Sequence, residues 1–256
     1  AKKMHIIELN EGNLETEHIC CGFSSKVNSV GYGKKKELMK NRFKEGMRFK
    51  RFDLHHKAFI EYVPAEYAWC PIDAPGYMFI NCFWVSGKNK KHGLGNRLLE
   101  ECLKESMDKN GIIVISSNTK KPFLSDKNFF LKKGFELFDT APPYFELIGI
   151  KFNKEAPDPK YLPVAKQKGV RLNKGLSIYY THQCPFTEHY AELMKTESEK
   201  LGIETQKILV DSNEKAREIP SGFGMFNVFY KGKFLTHELM TEKKFQSLLN
   251  SVKDLW

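Results

Sequence analysis

Residues 77–117, YMFINCFWVSGKNKKHGLGNRLLEECLKESMDKNGIIVISS, read as a strand, a glycine loop, a helix and a second strand. Tyr77 to Val85 is nearly all apolar or aromatic and is interrupted only by Asn81. Residues 86–95 hold three glycines and three lysines. From Asn96 to Lys109 the residues Leu98, Leu99, Cys102, Leu103 and Met107 recur at near-helical intervals, and Asn110-Gly111 ends the run. Residues 112–117, IIVISS, are a short apolar strand of the kind that is covered on both faces. Gly93 and Gly95 let the backbone turn and present N–H groups at a helix start, where the unpaired donors and the positive helix end favour an anion. Lys88, Lys90, Lys91 and His92 add positive charge. The loop lacks the third glycine of a dinucleotide fingerprint and the GK[ST] of a Walker loop.

Outward from this unit, 4–9 reads as an opening strand, 13–22 as a helical patch and 35–45 as an amphipathic helix. Segments 47–53 and 57–63 read as antiparallel strands. After the unit come a short helix over 125–133, closed by Gly134, and strands at 135–138 and 145–152. Pro157, Pro159 and Pro163, without periodicity, mark a linker over 156–175. The remainder runs strand 176–181, helix 186–201, strand 203–210, helix 213–219, strands 225–230 and 233–237 about a Lys231-Gly232 turn, and helix 241–252. The expectation is a mixed α/β chain with one domain over 1–155 and another over 176–256.

The residues about 1–152 resemble the GCN5-related N-acetyltransferase (GNAT) superfamily. Lys90-Lys91-His92-Gly93-Leu94-Gly95 stands where that family has Arg/Gln-x-x-Gly-x-Gly/Ala, and Phe130-Leu131-Lys132-Lys133-Gly134-Phe135 where it has Tyr-x-x-x-Gly-Phe. The resemblance implies an acyl-CoA N-acyltransferase fold with acetyl-CoA as acyl donor. The loop, with Asn96 and Arg97 following it, would hold the pyrophosphate. The strand ending at Val85 would part from 112–117 to admit the pantetheine arm, with Asn118 and Phe130 nearby. Lysine replaces the Arg/Gln of the signature, and Phe130 replaces the tyrosine that in the family often protonates the leaving thiolate. The strand 77–85 also lacks the glutamate that serves many relatives as base. Replacement proton carriers are sought in Tyr144, Cys82, His55 and His56, with Tyr144 as the acid of first choice.

The second domain resembles the thioredoxin-like fold, with Thr181-His182-Gln183-Cys184-Pro185-Phe186-Thr187 in the place of the reactive segment. Cys184 then takes the attacking position at an exposed first helical turn, and Thr187 replaces the second cysteine, so no internal disulfide cycle is available. His182, Cys184 and His189 do not make up a metal set, and no metal is expected. Taken together, the two domains resemble bacterial acetyltransferases that carry a C-terminal YoaP-like domain.

The expected activity is therefore acetyl transfer to a small amine. The alternative is a CoA-binding or protein-interaction module with a docking domain. Net charge is +10, and the densest basic stretch is 34–57, but it holds no nucleic-acid reader motif. No apolar run approaches the about 20 residues of a membrane helix. The start AKKMHIIELN lacks the apolar core of a secretory signal, and the six cysteines show no disulfide framework, so reduced thiols in the cytoplasm are expected. A homo-oligomer is left open.

Overall fold

The aromatic strand and the apolar strand that follow from the sequence lie side by side at the centre of a seven-stranded sheet. The computed structural model describes residues 4–19, 29–87, 92–167, 169 and 174–255. In chain order the first part comprises β1 (Ile6–Glu8), α1 (Ser29–Lys44), β2 (Arg48–Phe52), β3 (Ala58–Pro64), β4 (Ile72–Asp73), β5 (Tyr77–Val85), α2 (Leu94–Glu105), β6 (Gly111–Ser117), α3 (Lys127–Leu131), β7 (Glu136–Ala141), β8 (Phe145–Lys151) and β9 (Lys160–Tyr161). The large sheet has the order β1-β2-β3-β5-β6-β8-β7. Its neighbours are antiparallel except β5 and β6, which are parallel and joined by the α2 crossover.

Alternation along the strands divides the core into two layers. On one face Phe49, Phe59, Val63, Phe79, Ile113, Ile115 and Leu147 pack with Met39 of α1. On the other, Ile60, Tyr62, Ile80, Ile112 and Val114 pack with Leu94, Leu98, Leu99 and Cys102 of α2. Helix α1 begins six residues before the predicted 35. Its first turn is held by tertiary contacts: Gly31 is buried, and Tyr32 accepts the Ile19 N–H at 3.2 Å. Of the expected helical patch at 13–22, residues 11–16 form turns that bury Leu14, and residues from 20 on lie outside the described set, Cys20 and Cys21 among them.

The second part comprises β10 (Leu176–Tyr180), α4 (Thr187–Lys200), β11 (Thr205–Leu209), α5 (Asn213–Ala216), β12 (Phe226–Tyr230), β13 (Lys233–Thr236) and α6 (Glu242–Val252). Its four-stranded sheet has the order β11-β10-β12-β13, with β10 parallel to β11 and the other pairs antiparallel. Ala191, Met194, Phe245 and Leu249 cover it.

The expected linker is only in part a connection. Its described portion pairs Tyr161 with Ile72 across β9 and β4, and continues as a 3-10 turn over Pro163–Lys166. Tyr161 and Ala165 are buried in the first core. Prolines end regular structure locally, but they do not stop an aromatic side chain from finding a core.

The two sheets share contacts. Phe223 stacks on Phe145 at 5.8 Å. The Tyr161 hydroxyl donates to the Gly222 carbonyl at 2.9 Å, and Asn213 Nδ2 donates to the Ala68 carbonyl at 2.8 Å. A Cβ on Gly224 would sit 1.9 Å from the Trp69 carbonyl oxygen, so the backbones touch where no side chain fits.

Candidate active site

β5 and β6 pair from Tyr77–Gly111 to Ile80–Val114 and then part. The cause is local. Glu61 faces Cys82 and Tyr62 faces Ile80, which leaves Asn81 as an extra residue, a bulge that bends the strand. Beyond it β5 follows β3 to the Ala58–Val85 pair, while β6 follows β8 to Ser117–Phe145.

At the head of this cleft α2 starts behind Gly93, whose φ of 69° lies in the left-handed region that glycine adopts without strain. Its first turn carries no acidic residue, so nothing in that turn opposes an anion there. His92 and Asn96 are exposed and Leu94 is buried. Gly95 serves packing, because a Cβ would meet the rings of Phe83 and Phe129 at 3.4 Å each. Arg97 is exposed in the first turn of α2. Its guanidinium lies 4.8 Å over the Phe52 ring and donates to the Met4 carbonyl at 3.0 Å, so it ties down the N-terminal segment. Lys88, Lys90 and Lys91 lie outside the described residues.

Phe130 requires a correction. It is 0% exposed, enclosed by Phe83, Phe129 and Phe135, and presents no ring to a ligand. A phenyl group without a hydroxyl has no polar end to keep near the cleft, so it completes the core. Cys82 and Val85 are half-buried on the parted end of β5. Asn118 is exposed, and its backbone N–H donates to the Tyr144 carbonyl at 3.0 Å, which ties the end of β6 to Tyr144. His55 and His56 are exposed in the bend between β2 and β3.

Tyr144 is half-buried among Phe145, Phe234 and His237, with Lys121 Nζ 4.5 Å over its ring. Its hydroxyl is hydrogen-bonded to Nδ1 of His237, a residue of the second part that is 0% exposed. The other ring nitrogen, Nε2, donates to the Pro122 carbonyl at 2.8 Å. Burial holds His237 below its ordinary pKa, and burial with the Glu238 charge raises Tyr144. His237 was not among the expected site residues. Its only signal in the sequence is a lone histidine at the end of an apolar hairpin.

A second polar group joins the two parts at the bulge. Lys35 and Glu61, 2% and 4% exposed at their side chains, pair at 3.0 Å. Asn81 Nδ2 donates to Glu61 and, at 3.2 Å, to Gln183 Oε1. A cavity of about 10 Å³ lies among them. Glu61 was also missed, although a carboxylate in the apolar run AFIEYVP is a visible irregularity.

Cys184 is half-buried, and α4 begins only at Thr187, so the expected exposed first-turn thiol is not found. The Cys184-Pro185 turn lies against α1, where a Cβ on Gly31 would sit 1.9 Å from the Pro185 carbonyl oxygen. Thr187 Oγ1 donates to the carbonyls of Thr181 and, at 3.2 Å, Cys184. His182 bonds Glu188 at 2.7 Å, Glu188 pairs with Lys34 at 3.4 Å, and His189 packs on Tyr190.

A family model described as YoaP-like matches residues 206–246. The chain is 41% identical over 251 residues to YoaP of Bacillus subtilis (strain 168), an uncharacterized N-acetyltransferase, covering 97% of this chain and 100% of that one. Among solved structures, a GNAT-family acetyltransferase from Brucella melitensis in complex with acetyl-CoA aligns with 15% identity and a TM-score of 0.39, covering 64% of this chain and 98% of the other. The PaiA N-acetyltransferase of Thermoplasma acidophilum in complex with coenzyme A aligns with 16% identity and a TM-score of 0.41, covering 59% and 99%. With identity of that order over almost its whole length, the chain belongs to the YoaP family.

Proposed function

We propose that the protein is an acetyl-CoA-dependent N-acetyltransferase acting on a small amine. The observation that carries this reading is the parting of β5 and β6 at the Asn81 bulge, beside the glycine-led start of α2. Strand ends released from a ladder leave backbone N–H and C=O groups in need of partners, which suits an amide-bearing pantetheine arm. The helix start suits the pyrophosphate, with Lys90, Lys91, His92, Gly93, Leu94 and Gly95 as its cradle and Asn96 beside them. Val85 and Asn118 flank the arm, and Cys82 and Tyr144 are the polar groups toward the acceptor. Holding an amine against the thioester carbonyl lowers the entropic part of the barrier, and backbone N–H groups stabilise the oxyanion.

Residues 1–155 form the acetyltransferase domain in this reading. Residues 176–256 form a thioredoxin-like domain, supported by the β11-β10-β12-β13 order and by Cys184 at the turn between β10 and α4. Here that turn serves docking, since it lies against α1.

Calorimetry tests the donor site. Acetyl-CoA is expected to bind, and Gly93→Asp to weaken it by about tenfold or more, which corresponds to about 1.4 kcal/mol. A thiol-release screen over small amines then tests transfer. Binding without release on any amine would favour a CoA-binding module, and no binding would remove the reading altogether.

A further inference from the structure

We infer that the junction of α1, β3, β5 and the turn at Gln183 is a binding site for one buried water molecule, which accepts a hydrogen bond from Gln183 Nε2 and donates to the Glu61 carboxylate. The water bridges the second part of the chain to the first at the bulge of β5. The site stands independently of the acetyltransferase reading.

Hydrogen-bond polarity fixes the free end of this polar group. Lys35 Nζ only donates, and it meets Glu61 Oε1 at 3.0 Å. A carboxylate only accepts, so the Asn81 atom bonded to Glu61 Oε2 is the nitrogen Nδ2. The same Nδ2 donates to Gln183 at 3.2 Å, and the acceptor there must be Oε1. Turning the Asn81 amide over would set oxygen against oxygen, and turning Gln183 over would set nitrogen against nitrogen. Gln183 Nε2 is therefore where the chain of bonds ends. It is buried, on a residue 4% exposed, and has no acceptor among the described residues. A buried donor left in that state costs its full desolvation, which native structures seldom bear.

The space matches one acceptor of water size. The cavity that Lys35, Arg42, Glu61, Asn81 and Gln183 help to line measures about 10 Å³, roughly one water-sized sphere. Water can both accept from Nε2 and donate to Glu61, because each carboxylate oxygen has a second lone pair beyond its bond to Lys35 or Asn81. A metal cation there would face the Lys35 ammonium and the Arg42 guanidinium, and an anion would face the Glu61 carboxylate. Arg42 is already engaged, with Nη1 donating to Glu45 and, at 2.7 Å, to the Tyr67 carbonyl. Glu61 and Asn81 belong to the first sheet, whereas Gln183 comes from the turn between β10 and α4. With partners on both parts, the water is held only while they are docked.

Two measurements on the full chain test the site. A high-resolution crystal structure is expected to show one fully occupied water about 2.7–3.2 Å from both Gln183 Nε2 and a Glu61 oxygen. An empty cavity, or Nε2 bonded directly to a protein carbonyl, overturns the proposal. Bromide in the crystallisation buffer should give no anomalous peak there, and a peak would make the occupant an anion and overturn it as well. In solution, water ¹⁷O relaxation dispersion reads the number of long-lived internal waters. The parent is expected to hold one more than Gln183→Met, a side chain of similar size without the donor. Equal numbers overturn the proposal, and the crystallographic result decides it whether or not that variant folds.

Discussion

Gly31 and Gly33 stand two residues apart in the first half of α1, and their surroundings give opposite expectations for the same substitution. Glycine in a helix interior costs up to about 1 kcal/mol relative to alanine. Nothing lies within 4 Å of a Cβ built on Gly33, so Gly33→Ala should raise the melting temperature. A Cβ on Gly31 would sit 1.9 Å from the Pro185 carbonyl oxygen, which is backbone and cannot rotate away. Gly31→Ala should therefore lower the melting temperature, with the helix gain outweighed by an overpacking cost of about 1–3 kcal/mol. Two equal melting shifts would show that the Pro185 turn does not press on α1. The glycine loop at 93–95 was legible because its chemistry is local: a positive φ and a helix start. His237 and Glu61 were not, because their partners lie on other elements.

At the scale of elements, the buried ion pair links α1 to β3, and Asn81 extends it to the Gln183 turn. A buried charge left without its partner costs about 3–5 kcal/mol, more than the intact pair contributes. Lys35→Met should accordingly destabilise by an amount of that order, measured by urea denaturation. Combining it with Glu61→Gln should recover part of the loss. If the single and double variants are equally unstable, the loss does not come from an unpaired Glu61 carboxylate. Strand β5 matched its predicted bounds of 77–85 because an aromatic and β-branched run seldom supports any other structure. β4 and β9, two residues each, were missed because so short a pairing leaves no periodicity to read.

Over the whole molecule, apolar and polar contacts join the two sheets at Phe145–Phe223, Tyr161–Gly222, Tyr144–His237 and Asn81–Gln183. Thermal unfolding should therefore give one calorimetric transition. Two separate transitions would mean that these contacts contribute little. The acid response follows from the groups at the junction. His237 is held below its ordinary 6.5, mainly by burial, so the unfolded chain takes up a proton that the folded chain refuses. Stability from this source is complete above pH 6.5 and falls as the pH drops below it. Burial alone would raise Asp139, but its bonds from Lys166 and the Tyr161 N–H hold it below the ordinary 3.8, so its contribution is lost only at still lower pH. Urea midpoints measured from pH 8 to 5 should decline first below 6.5 in the parent, and less in His237→Gln. An identical decline in both would assign the acid response to other groups.

The succession of the longer strands and helices along the chain and the glycine loop were legible in the sequence itself. Each depends on periodicity, backbone freedom or composition within a few consecutive residues. The tertiary structure decided which polar residues meet. It set Arg97 over Phe52 and against the Met4 carbonyl, and sealed Phe130 into an aromatic core. It also bound the Pro-rich segment to the first sheet and set His237 against Tyr144, 93 residues away along the chain. Such meetings depend on how two sheets dock, and docking is settled by summed packing over both surfaces, which no local pattern records.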